Sequence, residues 1–141
     1  MACSPEKKEA YSSAIQEGKW GKVPFLLREK GSGTRTMMEK FFQERDIHVE
    51  SNLELATNEA VKQAVMAGLG ASLLSNFSMA QEIKEGRISL LELPGLPLKA
   101  DWKLIWLKQK KHSPAVKAFI RWLSENRKKV LSTHFPTLES F

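Results

Sequence analysis

The residues best suited to chemistry in this chain are hydrogen-bond donors: Ser32, Gly33, Thr34 and Arg35, at the end of Arg28-Glu29-Lys30-Gly31-Ser32-Gly33-Thr34-Arg35. An apolar run, Val23-Pro24-Phe25-Leu26-Leu27, precedes this stretch and a helical pattern follows it, so the spacing predicts a strand, a glycine loop and a helix start. Glycine lets backbone come close to a ligand. The first N–H groups of a helix lack intrahelical partners and carry the positive end of its dipole. With two hydroxyls and a guanidinium added, such a junction suits a carboxylate, sulfate or phosphate. The plainer alternative is that Ser32 caps the helix and Arg35 lies in solvent.

A second helix start of the same kind follows at Thr57-Asn58-Glu59. Signals for catalysis are absent by comparison. The glycine loop lacks the lysine of a Walker A sequence and the third glycine of a dinucleotide fingerprint. His48, His112 and His134 are scattered, with no His-Glu-x-x-His pair and no nucleophile elbow. Cys3 is the single cysteine, so it forms no disulfide within the chain and nucleates no metal cluster. A binding domain with no cofactor and no metal is therefore expected, not an enzyme.

These residues are positioned by a chain of 141 residues, 42% hydrophobic and 27% charged, which is enough for one domain with a real core. No apolar run approaches the roughly 20 residues that span a bilayer, and the first residues lack a signal-peptide core, so a cytoplasmic protein without membrane contact is expected. The net charge of +6 is concentrated late, in Lys108-Gln109-Lys110-Lys111-His112 and Arg127-Lys128-Lys129. Without interleaved aromatic residues to stack bases, those runs read as solvated basic faces.

Residues 1–19 are polar and weakly patterned, and partial order is expected there. Met37, Met38, Phe41 and Phe42 form the apolar stripe of a helix over 34–44, and Val61, Ala64, Val65 and Leu69 form that of a second, ended by Gly68-Leu69-Gly70. Short strands are predicted at Val23–Arg28, at Leu53–Leu55, at Ala71–Ser75, at Ile88–Leu93 and at Trp102–Leu107. Ser78-Met79-Ala80-Gln81 has capping-box spacing for a short helix ending at Gly86. Ser113 caps a last helix with Pro114 at its first turn and Val116, Phe119, Ile120 and Leu123 on its apolar face. Strands and helices alternate as in a three-layer α/β domain, where ligands bind beyond the carboxyl ends of the strands. Both helix starts lie at such ends and should share one rim.

The segments Val23-Pro24-Phe25-Leu26-Leu27-Arg28-Glu29-Lys30-Gly31-Ser32-Gly33-Thr34-Arg35 and Asn58-Glu59-Ala60-Val61-Lys62-Gln63-Ala64-Val65-Met66-Ala67-Gly68-Leu69-Gly70, continued by Glu85-Gly86-Arg87 and Ser113-Pro114-Ala115, resemble the effector-binding domain of LysR-type transcriptional regulators, of the RuBisCO-operon type. The likeness covers roughly residues 20 to 125. It implies the fold of type 2 periplasmic-binding proteins: two α/β lobes joined by two crossing strands, with a small effector between them. On that likeness, residues 1–19 lead in from a missing first lobe and 20–100 make the second lobe. Residues 101–131 give the returning strand and C-terminal helix of the first lobe, and 132–141 a tail. The effector pocket carries over to Ser32, Gly33, Thr34, Arg35, Thr57 and Asn58, and further to Ser75 and Asn76, all on one wall.

The expected function is therefore effector sensing in a bacterial regulator, with a small anionic metabolite as ligand. DNA would be reached only through a helix-turn-helix segment outside this chain, and self-association into a homo-oligomer is expected. The alternative is a lobe of an extracytoplasmic solute-binding protein for a small anion. Arg35 is the charge expected to fix the anion, with a loss of roughly 10- to 150-fold in affinity on Arg35→Ala.

Overall fold

The computed structural model describes residues 1–99 and 103–134. They fall into two compact units, Met1–Leu98 and the segment from Lys99 onward.

In the first unit, strand β2 (Phe25–Arg28) pairs in parallel with β3 (Ser51–Leu55), with a register slip between Phe25 and Leu26. Strand β1 (Ala2–Cys3) pairs antiparallel with β4 (Ser89–Leu90). Ala71 and Ser72 join the two ladders: Ala71 N–H donates to Pro24 O at 2.9 Å, and Ser72 exchanges bonds with Ala2 at 2.8 and 3.0 Å. The strand order across the sheet is thus β3, β2, Ala71–Ser72, β1, β4. The first three run parallel.

Alternation along these strands divides the core in two, because successive strand residues face opposite sides. Cys3, Phe25 and Leu27 face one way, toward α1 (Lys8–Gln16) and α2 (Gly33–Gln43), packing with Tyr11, Ile15, Met38, Phe41 and Phe42. Ala2 and Leu26 face the other way, toward α3 (Asn58–Met66) and α4 (Asn76–Lys84), packing with Val61, Val65, Leu74, Met79 and Ile88. This is a three-layer arrangement around a sheet buried on both faces. Phe42 is its aromatic hub, meeting Phe25 at 4.9 Å and Trp20 at 6.1 Å between ring centroids, both edge to face. Gly70 is required by close approach: a Cβ there would stand 2.5 Å from Pro24 O.

The second outer layer is fastened by an ion pair. Lys62 on α3 meets Glu82 on α4 at 2.7 Å, also donates to Ser78 O at 3.1 Å, and reaches Glu59 at 3.0 Å. The Lys62 hydrogen bond holds the Glu82 carboxyl below its usual range, and Glu82 in turn raises the Lys62 ammonium.

The beginning of the chain departs from expectation. Residues 1–19 are built into the unit: Ala2 and Cys3 are fully buried in the sheet, and Tyr11 and Ile15, four apart on α1, seal its edge. Helix α4 begins at Asn76 with Ser75 as its N-cap position, so the capping-box spacing at Ser78 is helix interior; Ser78 Oγ donates to Ser75 O at 2.8 Å. The strand predicted at 71–75 is confined to the bridges of Ala71 and Ser72, and that at 88–93 to Ser89–Leu90. Leu69, expected in the core, is 55% exposed.

In the second unit, Trp102 lies outside the described residues and 103–107 form no strand, with Leu104 to Leu107 exposed. Helix α5 (Pro114–His134) is opened by Ser113, whose Oγ accepts from Val116 N–H at 3.4 Å, and it continues past residue 132, where a tail was expected. Residues 135–141 lie outside the described residues. Val116 and Phe119, expected to be covered, are 44% and 54% exposed.

Candidate functional site

Three helices begin where the three parallel strands end. Strand β2 ends at Arg28 and α2 starts after Ser32; β3 ends at Leu55 and α3 starts after Thr57; Ala71–Ser72 is followed by α4, which starts after Ser75. Since these strands point the same way, the three N-termini gather on one rim of the sheet, with their positive dipole ends and unshared N–H groups. Thr57 spends its hydroxyl on capping, accepting from Ala60 N–H at 3.0 Å, whereas Ser32 and Ser75 make no side-chain capping bond. Their hydroxyls are the more available for a ligand. Gly31, with φ +93°, turns the loop in a conformation that side chains disfavour, and a Cβ at Gly33 would meet nothing within 4 Å. That leaves the α2 start open on its outer side.

Two arginines stand at this rim on opposite faces of the sheet, Arg35 because it belongs to α2 and Arg28 because strand alternation turns it toward α3. Arg35, in the first turn of α2, does reach the strand end, donating to Arg28 O at 3.0 Å. Its charge is met there by Glu39, one turn along α2 at 2.7 Å, and by Glu54 of β3. Both carboxylates raise its pKa, Glu39 first. Arg28 shares the face of Leu26, the α3 side. Its guanidinium holds Glu29 by two parallel bonds, Nε to Oε2 at 2.7 Å and Nη2 to Oε1 at 2.8 Å, and donates also to Ala56 O at 3.3 Å and to Asn58 Oδ1. The Glu29 bonds raise the Arg28 pKa, and Arg28 lowers that of Glu29.

Arg28 therefore ties the glycine-loop start to the α3 start. The structure brings Ser32, Gly33, Thr34, Arg35, Thr57 and Asn58 to one rim, and Ser75 and Asn76 begin the third helix there. Arg28 itself was read only as the end of a strand. The signal that could have singled it out was its parity with Leu26, which aims it at the neighbouring helix start. Among the described residues no group of three His, Cys, Asp or Glu side chains could hold a metal ion, and no helix is long and apolar enough to cross a membrane.

The LysR substrate binding domain family matches residues 1–128. The chain belongs to this family. Among curated relatives, it is 39% identical over 109 residues to the RuBisCO operon transcriptional regulator of Acidithiobacillus ferrooxidans, covering 77% of this chain and 35% of that protein. It is 41% identical over 99 residues to the HTH-type transcriptional regulator CbbR of Rhodospirillum rubrum, covering 70% and 33%. The chain thus spans about a third of the length of these LysR relatives. Among solved structures, the CcmR regulatory domain of Synechocystis PCC6803, in complex with 2-PG, superposes with a TM-score of 0.67 at 34% identity, covering 73% of this chain and 50% of that one. The apo regulatory domain of HypT from Salmonella typhimurium, at 18% identity and TM-score 0.58, shares the fold. The chain is accordingly an α/β domain of the type 2 periplasmic-binding-protein kind, as expected from the sequence.

Proposed function

We propose that this chain supplies one wall of an effector site in a LysR-type regulator, and that the effector is a small anion held at the rim where α2, α3 and α4 begin. The observation that carries this reading is the convergence of three helix N-termini on one rim, with two uncommitted cap hydroxyls beside an open glycine. Ser32, Gly33 and Thr34 offer N–H and O–H donors from α2, Thr57 and Asn58 from α3, and Ser75 and Asn76 from α4. Arg28 and Arg35 stand beside these donors, each paired with glutamate. In this reading Met1–Leu98 is the second lobe and the segment from Lys99 belongs with the first, whose remaining residues would furnish the opposite wall. In this reading the site holds its effector by hydrogen bonds and charge and carries out no reaction. Ligand binding would bias the arrangement of the lobes and, through a DNA-binding segment elsewhere in the regulator, transcription. Self-association, testable by light scattering over a range of concentrations, belongs to the same proposal.

Amide resonances of the 141-residue chain, followed during titration with 2-PG, test it. The expected result is a saturable shift confined to residues 32–35, 57–58 and 75–76. Shifts confined to the opposite end of the strands would sink the proposal, as would none at any attainable concentration in a chain joined to its other lobe.

A further inference from the structure

The rim as folded is not a positive site. Arg28 and Arg35 face Glu29, Glu39 and Glu54, and the exposed Lys30 only restores balance. An anion arriving there meets guanidinium donors already occupied by carboxylates, so engaging either arginine requires an exchange of partners. The two arginine clusters differ in how easily they permit one. Arg35 is held by two glutamates from two different elements, and displacing one leaves the other.

Arg28 offers a simpler exchange. Its guanidinium is held by Ala56 O and Asn58 Oδ1 across the rim and its side chain is 15% exposed, whereas the Glu29 side chain lies on the loop and is 39% exposed. The cation is anchored and its counter-ion is free to leave. The two parallel bonds from Nε and Nη2 to Glu29 are the same fork that receives a carboxylate or phosphate from a ligand.

We infer that Glu29 is a built-in competitor for Arg28, a counter-ion that an anionic effector must displace, and that it selects ligands bearing a doubly charged group. This rests on the proposed effector site. A monocarboxylate offers Arg28 what Glu29 already gives it and pays to be brought from solution, so it gains nothing. A phosphate dianion brings the same two acceptor oxygens, a further oxygen that Glu29 does not have, and a second charge for the helix dipole ends at the rim. The discrimination lies in the exchange.

The test uses the full 141-residue chain with inorganic phosphate and acetate as probes, at a pH where phosphate is largely the dianion, reading the Arg28 Nε–H resonance together with the rim amides. In the unmodified chain phosphate should move the Arg28 resonance and acetate should not. Glu29→Gln should raise phosphate affinity about three- to fivefold, the size of effect set by one partly exposed ion pair, and should let acetate register. Arg28→Lys, which keeps the charge but not the fork, should abolish that gain. If rim amides respond while the Arg28 resonance stays still, or Glu29→Gln folds and gains nothing, the inference falls and the effector site stands. If no rim amide responds in either protein, the inference falls, and the effector site falls with it when a chain joined to its other lobe is equally silent. Should Glu29→Gln fail to fold, the Arg28 resonance of the unmodified chain still decides.

Discussion

Helices α2 and α5 carry apolar stripes of the same helical spacing, one in each unit of the chain, yet only the first is covered. Met38, Phe41 and Phe42 are 1%, 2% and 4% exposed, whereas Val116, Phe119 and Trp122 are 44%, 54% and 49% exposed. Charge divides along the same boundary: residues 1–98 hold 12 Lys and Arg against 13 Asp and Glu, and residues 99–141 hold 10 against 3. Periodicity states which side chains share a face; it does not state what lies on that face. In the first unit a sheet supplies the cover, and ion pairs within and between elements engage every arginine. In the second unit neither has happened among the described residues.

The sharpest way to break that contrast is a pair of truncations. Phe25→Ala removes a fully buried ring at the centre of the aromatic group and should cost about 3–5 kcal/mol in urea unfolding. Phe119→Ala removes a ring of the same size from α5 and should change stability by less than about 0.5 kcal/mol. Equal losses would show that α5 is as well covered as α2 in solution.

Two glycines sharpen the contrast within the first unit. Gly70→Ala drives a Cβ against Pro24 O, a backbone atom that cannot swing away, and overpacking of this kind costs about 1–3 kcal/mol. Gly33→Ala places a methyl group in open space at the α2 start and should leave the unfolding midpoint nearly unchanged while weakening the 2-PG response of the rim amides. A Gly33→Ala chain that unfolded early would assign that glycine to the fold.

The Lys62–Glu82 pair sets a pH dependence whose sign is fixed. Glu82 is depressed in the folded chain, so its contribution is present above the ordinary carboxylate pKa of about 4.3 and is lost as pH falls through the folded value. Lys62→Ala strands the buried Glu82 carboxylate and should cost about 1–3 kcal/mol at neutral pH, shrinking toward pH 3. A cost that did not shrink in acid would mean that Lys62 acts by packing its methylene stem.

What could be seen in the sequence follows from how far each signal reaches. Helices α2 and α3 were legible because three or more apolar residues repeat over two turns after a recognisable cap. Helix α1 was not, since Tyr11 and Ile15 are its only large apolar side chains and seven small or polar residues surround them. Strands of two residues, such as Ala2–Cys3, are too short to show alternation, and Ala71–Ser72 is tied in by bonds to residues 46 and 70 positions away. The rim was predictable from strand direction alone. The state of its charges was not, because Glu54 stands 19 residues from Arg35 and meets it only once β3 has paired with β2.

Arg35→Ala is for that reason expected to have only a small effect on binding, which revises the roughly 10- to 150-fold loss that follows from treating Arg35 as a free cation. With Glu39 and Glu54 already on its guanidinium, Arg35 has little field left to offer an anion beyond the helix start. Removing it takes away one donor to Arg28 O and frees two carboxylates near the rim, so some loss of affinity is expected through repulsion. The size should be about threefold or less at physiological salt, where exposed charges are screened beyond about 8 Å. Raising the salt should erase most of that loss, because it arises from unpaired carboxylates and not from a missing contact. If Arg35→Ala instead weakened 2-PG binding a hundredfold at every ionic strength, the guanidinium would have to leave its glutamates for the ligand. The partner exchange assigned to Arg28 and Glu29 would then take place on α2.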